Sequence, residues 1–89
     1  VIERELLVSN RLGLHARATA KLVQLLSGYR CNATLSARGR DVNAKSIMGV
    51  MLLAAGNGTP VLLRVEGEDE AAAAEAVAAL FERRFDEDE

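Results

Sequence analysis

Apolar and polar residues alternate in the opening segment, where Ile2, Leu6 and Val8 fall on one side and Glu3 and Glu5 on the other, the period of a half-buried strand. Ser9 to Gly13 supplies turn formers. The period then lengthens, with Ala16, Ala20, Val23 and Leu26 recurring at helical spacing until Gly28 closes the run. Strict alternation returns from Cys31 to Ala37: Cys31, Ala33, Leu35 and Ala37 face one way and Asn32, Thr34 and Ser36 the other. Arg38, Gly39 and Arg40 predict a hairpin connection, and Asp41 to Asn43 a brief return strand, antiparallel to the one before.

Ser46 precedes Ile47, Met48, Val50, Met51, Leu52 and Leu53 and reads as the N-cap of a short helix that Ala54, Ala55 and Gly56 end. That helix is apolar nearly all round. Asn57 to Pro60 is turn chemistry, and Val61, Leu63 and Val65 share one face of a fourth strand. Gly67 to Glu70 gives an acidic lead-in to an Ala-rich helix whose Ala73, Val77, Leu80 and Arg84 form one stripe. Its acids stand at the positive end of the helix dipole, Arg83 and Arg84 at the negative end. The tail 86–89 is expected to fray.

The order is strand, helix, strand, strand, helix, strand, helix (βαββαβα), with one amphipathic face per strand. It predicts an α+β fold, a two-layer open-faced sandwich with an antiparallel four-stranded sheet and its helices on one face. At 89 residues the chain has room for one domain, spanning 1–89.

Composition narrows the function. The chain is 49% hydrophobic and 27% charged, ordinary globular usage. A net charge of -2 argues against affinity built on neutralising many nucleic-acid phosphates, and Tyr29, Phe81 and Phe85 as the three aromatics offer no stacking platform for single strands. No apolar run approaches the ~20 residues that span a bilayer. Cys31 is the single cysteine and no secretory pattern opens the chain, so a cytoplasmic location is expected. A Cys-x-x-Cys pair, a second histidine and a Gly-rich nucleotide loop are all missing from the sequence. Neither a metal nor a cofactor is therefore expected.

One place remains where chemistry could sit. His15 falls where Gly13-Leu14 meets the first helix, with Arg17 two positions on. A helix start presents unpaired N–H groups and partial positive charge, and so holds anions, phosphate above all. The same charge disfavours an imidazolium, leaving a neutral ring nitrogen as nucleophile, while Arg17 could hold phosphate oxygens through its planar fork. Spacing alone leaves a capping or surface histidine open as the plainer reading. Ser46 is open in the same way between simple N-cap and phosphorylation site, since a helix start accommodates a phosphate. Ile47, Met48 and Met51 are either core or an exposed, adaptable docking patch.

The stretches Gly13-Leu14-His15-Ala16-Arg17, Asn43-Ala44-Lys45-Ser46-Ile47-Met48-Gly49-Val50-Met51 and Ala54-Ala55-Gly56 closely resemble the HPr family, the histidine phosphocarriers of the bacterial phosphoenolpyruvate-dependent phosphotransferase system. The resemblance extends over residues 2 to 85. It implies a sheet in the order 1-4-2-3 covered on one side by three helices. It also implies that His15 accepts a phosphoryl group from enzyme I on Nδ1 and passes it to a IIA-type protein or domain, and that Arg17 attends the phosphate. Ser46 matches the serine that an HPr kinase/phosphorylase modifies in many bacteria, and Ala20, Ile47, Met48 and Met51 match the apolar docking face. Such a protein is a stoichiometric carrier, not an enzyme, and a monomer is expected.

The chain departs from the family pattern at Ala18, where proline usually follows the arginine, and at Gln24, Ser27 and Gly49, which are neutral where sugar-transport members are often basic. A nitrogen-type regulatory relay thus fits as well as sugar uptake. The rival reading from another class is an interaction module with no phosphorylation, in which His15 is a cap and the methionine face a docking surface. A small-metabolite or metal-binding domain on a ferredoxin-like scaffold would want a second ligand cluster, which the sequence does not offer.

Overall fold

The expected alternation is realised first in the sheet. In the computed structural model, which describes residues 1–87, strands β1 (Ile2–Leu7), β2 (Asn32–Ala37), β3 (Arg40–Asn43) and β4 (Pro60–Glu66) interleave with helices α1 (Ala16–Ser27), α2 (Ile47–Leu52) and α3 (Glu70–Glu82). All three strand pairings are antiparallel, in the order β1-β4-β2-β3. The register sets Leu6 against Val61 and Leu35 against Leu63, so the alternating apolar residues of neighbouring strands share the helix-covered face, while Leu7 falls on the open one and is exposed. Ala33, Leu35, Ala37, Val61, Leu63 and Val65 are buried there.

Each helix closes that face with small or branched residues. From α3 come Ala73, Ala74, Val77, Ala78, Leu80 and Phe81, where alanines let the helix lie close on the strands. In α1 the buried stripe is Ala18, Thr19, Leu22 and Leu26, so Leu26 is buried as expected but Ala16, Ala20 and Val23 are not. Alanines stand at 16, 18 and 20, so two helical registers look alike in sequence; the one with Leu22 at its centre buries the larger side chain and prevails.

Other boundaries shift for local reasons. Arg38 and Gly39 alone form the β2–β3 turn, with φ of 49° and 79°, the pair of left-handed residues a two-residue hairpin requires, and Arg40 joins β3 by pairing with Ala37. α2 ends at Leu52 with Leu53 as its C-cap, at the expected Ala54-Ala55-Gly56 stop, where Ala54 turns left-handed with φ 50°. α3 ends at Glu82, so Arg84 leaves the buried stripe and is exposed. Asp69 stands at the N-cap of α3 without capping it; its carboxylate accepts the Arg30 N–H at 2.7 Å.

The tail departs most from expectation. Instead of fraying at Asp86, the chain makes a 3-10 turn over Arg84–Asp86, Phe85 is fully buried and Glu87 is held by two hydrogen bonds. Asp88 and Glu89, the rest of the tail expected to fray, lie outside the described residues. No helix among the described residues is long and apolar enough to cross a membrane.

Candidate functional site

The loop before α1 is built by backbone hydrogen bonds that follow from its glycine. Gly13 adopts φ +69°, and a Cβ there would stand 2.5 Å from the Ala55 carbonyl oxygen; only glycine allows this close approach. Leu14 then donates to the Ala55 carbonyl at 2.9 Å and His15 to that of Gly13 at 2.9 Å. Buried Asn10 donates through Nδ2 to the Gly13 carbonyl at 2.7 Å, and the Thr19 hydroxyl to that of Leu14 at 3.1 Å. The loop is thereby fastened on both sides of the histidine.

His15 takes the N-cap position of α1, with extended backbone and its carbonyl accepting the Thr19 N–H at 2.9 Å. Its side chain makes no capping hydrogen bond and no acidic residue stands in the first turn. The imidazole does not spend itself on the helix, and the first-turn N–H groups keep their positive character. Ala18 leaves α1 intact from Ala16 onward and keeps a first-turn N–H that proline would remove.

The ring is 28% exposed, and its Nε2 lies 2.5 Å from Oε2 of Glu87. Asn10 donates to the other oxygen of Glu87 at 3.1 Å. Burial by itself would raise the Glu87 carboxyl, but the hydrogen bonds from His15 and Asn10 and the charges of His15 and Lys21 outweigh it and hold the group below the ordinary carboxylate value. A carboxylate only accepts hydrogen bonds, so Nε2 carries a proton and, in the neutral ring, Nδ1 bears the lone pair.

Arg11, Leu12, His15, Arg17, Lys21 and Glu87 line one open pocket. Arg17 is exposed and forms no ion pair among the described residues, leaving its guanidinium fork available to an anion in that pocket. Lys21 donates to the Phe85 carbonyl at 2.5 Å. No metal-holding cluster occurs among the described residues. The site thus combines a partly exposed imidazole with one nitrogen free, a helix start and an exposed guanidinium, an arrangement suited to taking up a phosphoryl group.

Of the other expected residues, Ser46 caps α2: its Oγ accepts the Gly49 N–H at 3.0 Å. Only Val50 of α2 is buried. Ile47 and Met51 are exposed and Met48 is 78% exposed, so these apolar side chains belong to the surface. Ala20 is half-buried on α1, which packs against α2. Leu12, 65% exposed, and Leu52 extend the apolar surface beyond the expected set. Asn10 and Glu87 were not legible as site residues. An asparagine in a turn is ordinary local chemistry, and nothing in an acidic tail marks one carboxylate for a ring 72 residues away.

Comparison with known proteins places the chain in a family. The family model described as the PTS HPr component phosphorylation site matches residues 2–83. A phosphocarrier protein HPr of Xylella fastidiosa is 62% identical over 88 residues, covering 99% of each chain. The crystal structure of HPr-C-His from Thermoanaerobacter tengcongensis superposes with a TM-score of 0.96 at 38% identity, covering all of both chains. An HPr dimer from the same organism has a TM-score of 0.78 at 43% identity, over 84% of this chain and 86% of the other. With the family model matched over nearly its whole length and the fold shared with a solved HPr structure over both whole chains, the chain belongs to the HPr family and is a phosphocarrier of the phosphotransferase system.

Proposed function

We propose that His15 is the phosphoryl-accepting residue, that enzyme I is its donor and that a IIA-type protein or domain drains it. The observation that carries this reading is the imidazole at the N-cap of α1, uncommitted to capping, with Arg17 in the same pocket. Nδ1 attacks the phosphorus of phospho-enzyme I as the donor's P–N bond breaks. The helix start and Arg17 stabilise the charge on the phosphoryl oxygens. The protein then hands the group on by the reverse step, which makes it a stoichiometric intermediate.

Donor and acceptor dock on the apolar surface of Ala20, Ile47, Met48 and Met51. Ser46 caps the helix that bears most of this surface, so a phosphate on its hydroxyl would place up to about two negative charges against an apolar contact and oppose docking. On this reading an HPr kinase/phosphorylase acting at Ser46 slows phosphorylation of His15. The protein works as a monomer in the cytoplasm, since a single copy holds the whole site; dimerisation of the kind described for the Thermoanaerobacter protein is checked by sedimentation.

Intact-mass analysis at alkaline pH, after incubation with phosphoenolpyruvate, magnesium and enzyme I, tests the proposal. One phosphoryl addition is expected, absent from His15→Ala. No addition, or one that persists in His15→Ala, refutes it. A fully functional His15→Ala protein would favour the docking-module reading.

A further inference from the structure

Arg84, Phe85 and Asp86 hold φ of 55°, 57° and 60° in succession. L-residues enter this left-handed region reluctantly, and three in a row without glycine persist only where surrounding contacts enforce them. Those contacts are present. Phe85 is fully buried with its ring centroid 4.9 Å from that of Phe81, and Lys21 reaches from α1 to its carbonyl. The turn reverses the chain after α3 and delivers Glu87 to the imidazole.

There the carboxylate is fixed through both oxygens. Oε1 accepts from Nδ2 of Asn10, a fully buried side chain itself anchored on Gly13, and Oε2 meets Nε2 of His15. One ring nitrogen is therefore occupied and protonated, and the other is the nucleophile. We propose that Glu87 is a positioning residue that selects Nδ1 of His15 for phosphorylation by occupying Nε2. The proposal rests on His15 being the phosphoryl acceptor.

In the transfer, the Nδ1 lone pair forms the new bond to phosphorus while the bond between phosphorus and the leaving nitrogen breaks, its electron pair departing with the leaving group. The ring becomes a phosphoimidazolium whose positive charge faces the Glu87 carboxylate through the Nε2 proton. An acceptor already in place stabilises that charge without rearrangement.

A donor that needs no partner protein separates this proposal from the identity of the physiological donor. Phosphoramidate transfers its phosphoryl group to imidazole with release of ammonia. We expect it to phosphorylate the intact wild-type chain at Nδ1 of His15, read by phosphorus-nitrogen correlated NMR at alkaline pH. In Glu87→Ala, the Nδ1 rate should fall about tenfold, comparable to the loss of a partner that orients a functional histidine, and an Nε2 adduct should appear. Glu87→Gln retains an acceptor oxygen and should restore exclusive Nδ1 modification. A single cooperative melting transition in each variant confirms that the fold is intact. Wild-type modification at Nε2, or a Glu87→Ala protein that reacts only at Nδ1 and at the wild-type rate, overturns the proposal. Failure with enzyme I alongside retained Nδ1 selection by phosphoramidate would count against the donor, not against Glu87.

Discussion

Leu14 donates its backbone N–H to the carbonyl of Ala55 across 2.9 Å, joining the residue before the histidine to the segment that follows α2. One hydrogen bond thus couples the loop that presents His15 to the helix that presents the methionines. Its length depends on Gly13, whose missing Cβ leaves room for Ala55 and Gly56 at 2.5 and 2.6 Å.

Gly13→Ala should break this coupling. The new Cβ meets backbone, which cannot swing away as a flexible side chain would, and the residue must also hold φ +69°. A loss of roughly 1–3 kcal/mol is expected from the dihedral and contact strain together, read as a lower denaturant midpoint. Phosphorylation of His15 should slow further than stability explains, because the loop and docking helix no longer share a fixed geometry. A variant as stable and as active as wild type would refute the coupling.

Ser46 separates stability from docking. Its Oγ accepts the Gly49 N–H, so Ser46→Ala should cost about 1 kcal/mol, the usual value of a lost N-cap. Ser46→Asp keeps an acceptor and should stay within a few tenths of a kcal/mol of wild type. Yet it places charge beside exposed Ile47 and Met48, and should raise the KM for phosphorylation by enzyme I. Equal rates for Ser46→Asp and wild type would exclude an electrostatic role for modification there.

What the sequence disclosed and what it concealed follow from the range of the interactions. The alternation in β2 and the cap at Ser46 are local, and each was readable from a few adjacent residues. Exposure of Met48 was open in sequence, because a six-residue apolar helix has more apolar sides than a sheet can cover. The face of α1 was misread because alanine at 16, 18 and 20 carries little burial preference, and only tertiary packing of Leu22 decides. The Glu87 contact was invisible for a stronger reason. It depends on a left-handed turn at Arg84, Phe85 and Asp86, residue types that carry no turn signal in this order, and on a partner from the far end of the chain.

Arg38 and Arg40 read in sequence as hairpin residues, but they also reach the end of α2. Arg38 donates to the carbonyls of Leu53 at 2.5 Å and Ala54 at 3.3 Å, and Arg40 to that of Leu52 at 3.0 Å. These carbonyls lie where a helix leaves its acceptors unpaired and negative. Arg38→Ala should therefore lose about 1 kcal/mol. Arg38→Asn suits the left-handed turn position better than arginine does, and so isolates the clamp: it should still be less stable than wild type. A stabilised Arg38→Asn would mean that the turn, not the clamp, sets the role of this residue.

The lowered carboxyl of Glu87 fixes how the tail responds to acid. Burial opposes ionisation, yet the hydrogen bonds from His15 and Asn10 prevail and the value falls below the ordinary 4.5. A carboxyl whose folded value lies below its unfolded one contributes stability that is fully present above the unfolded value and is lost as pH falls through the folded one. The docked tail should thus keep this contribution in full at neutral pH and lose it progressively as pH falls below the ordinary carboxylate value toward the lowered one. Carbon-detected NMR of the Glu87 carboxyl should show a midpoint below 4.5, and the Phe85 ring signals should change over the same interval, since burial of Phe85 and docking of Glu87 belong to one turn. In Asn10→Ala, with one of the two hydrogen bonds gone, the midpoint should move upward toward the ordinary value. A midpoint at or above 4.5 in wild type, or Phe85 signals indifferent to this titration, would show that Glu87 is not held at His15 in solution.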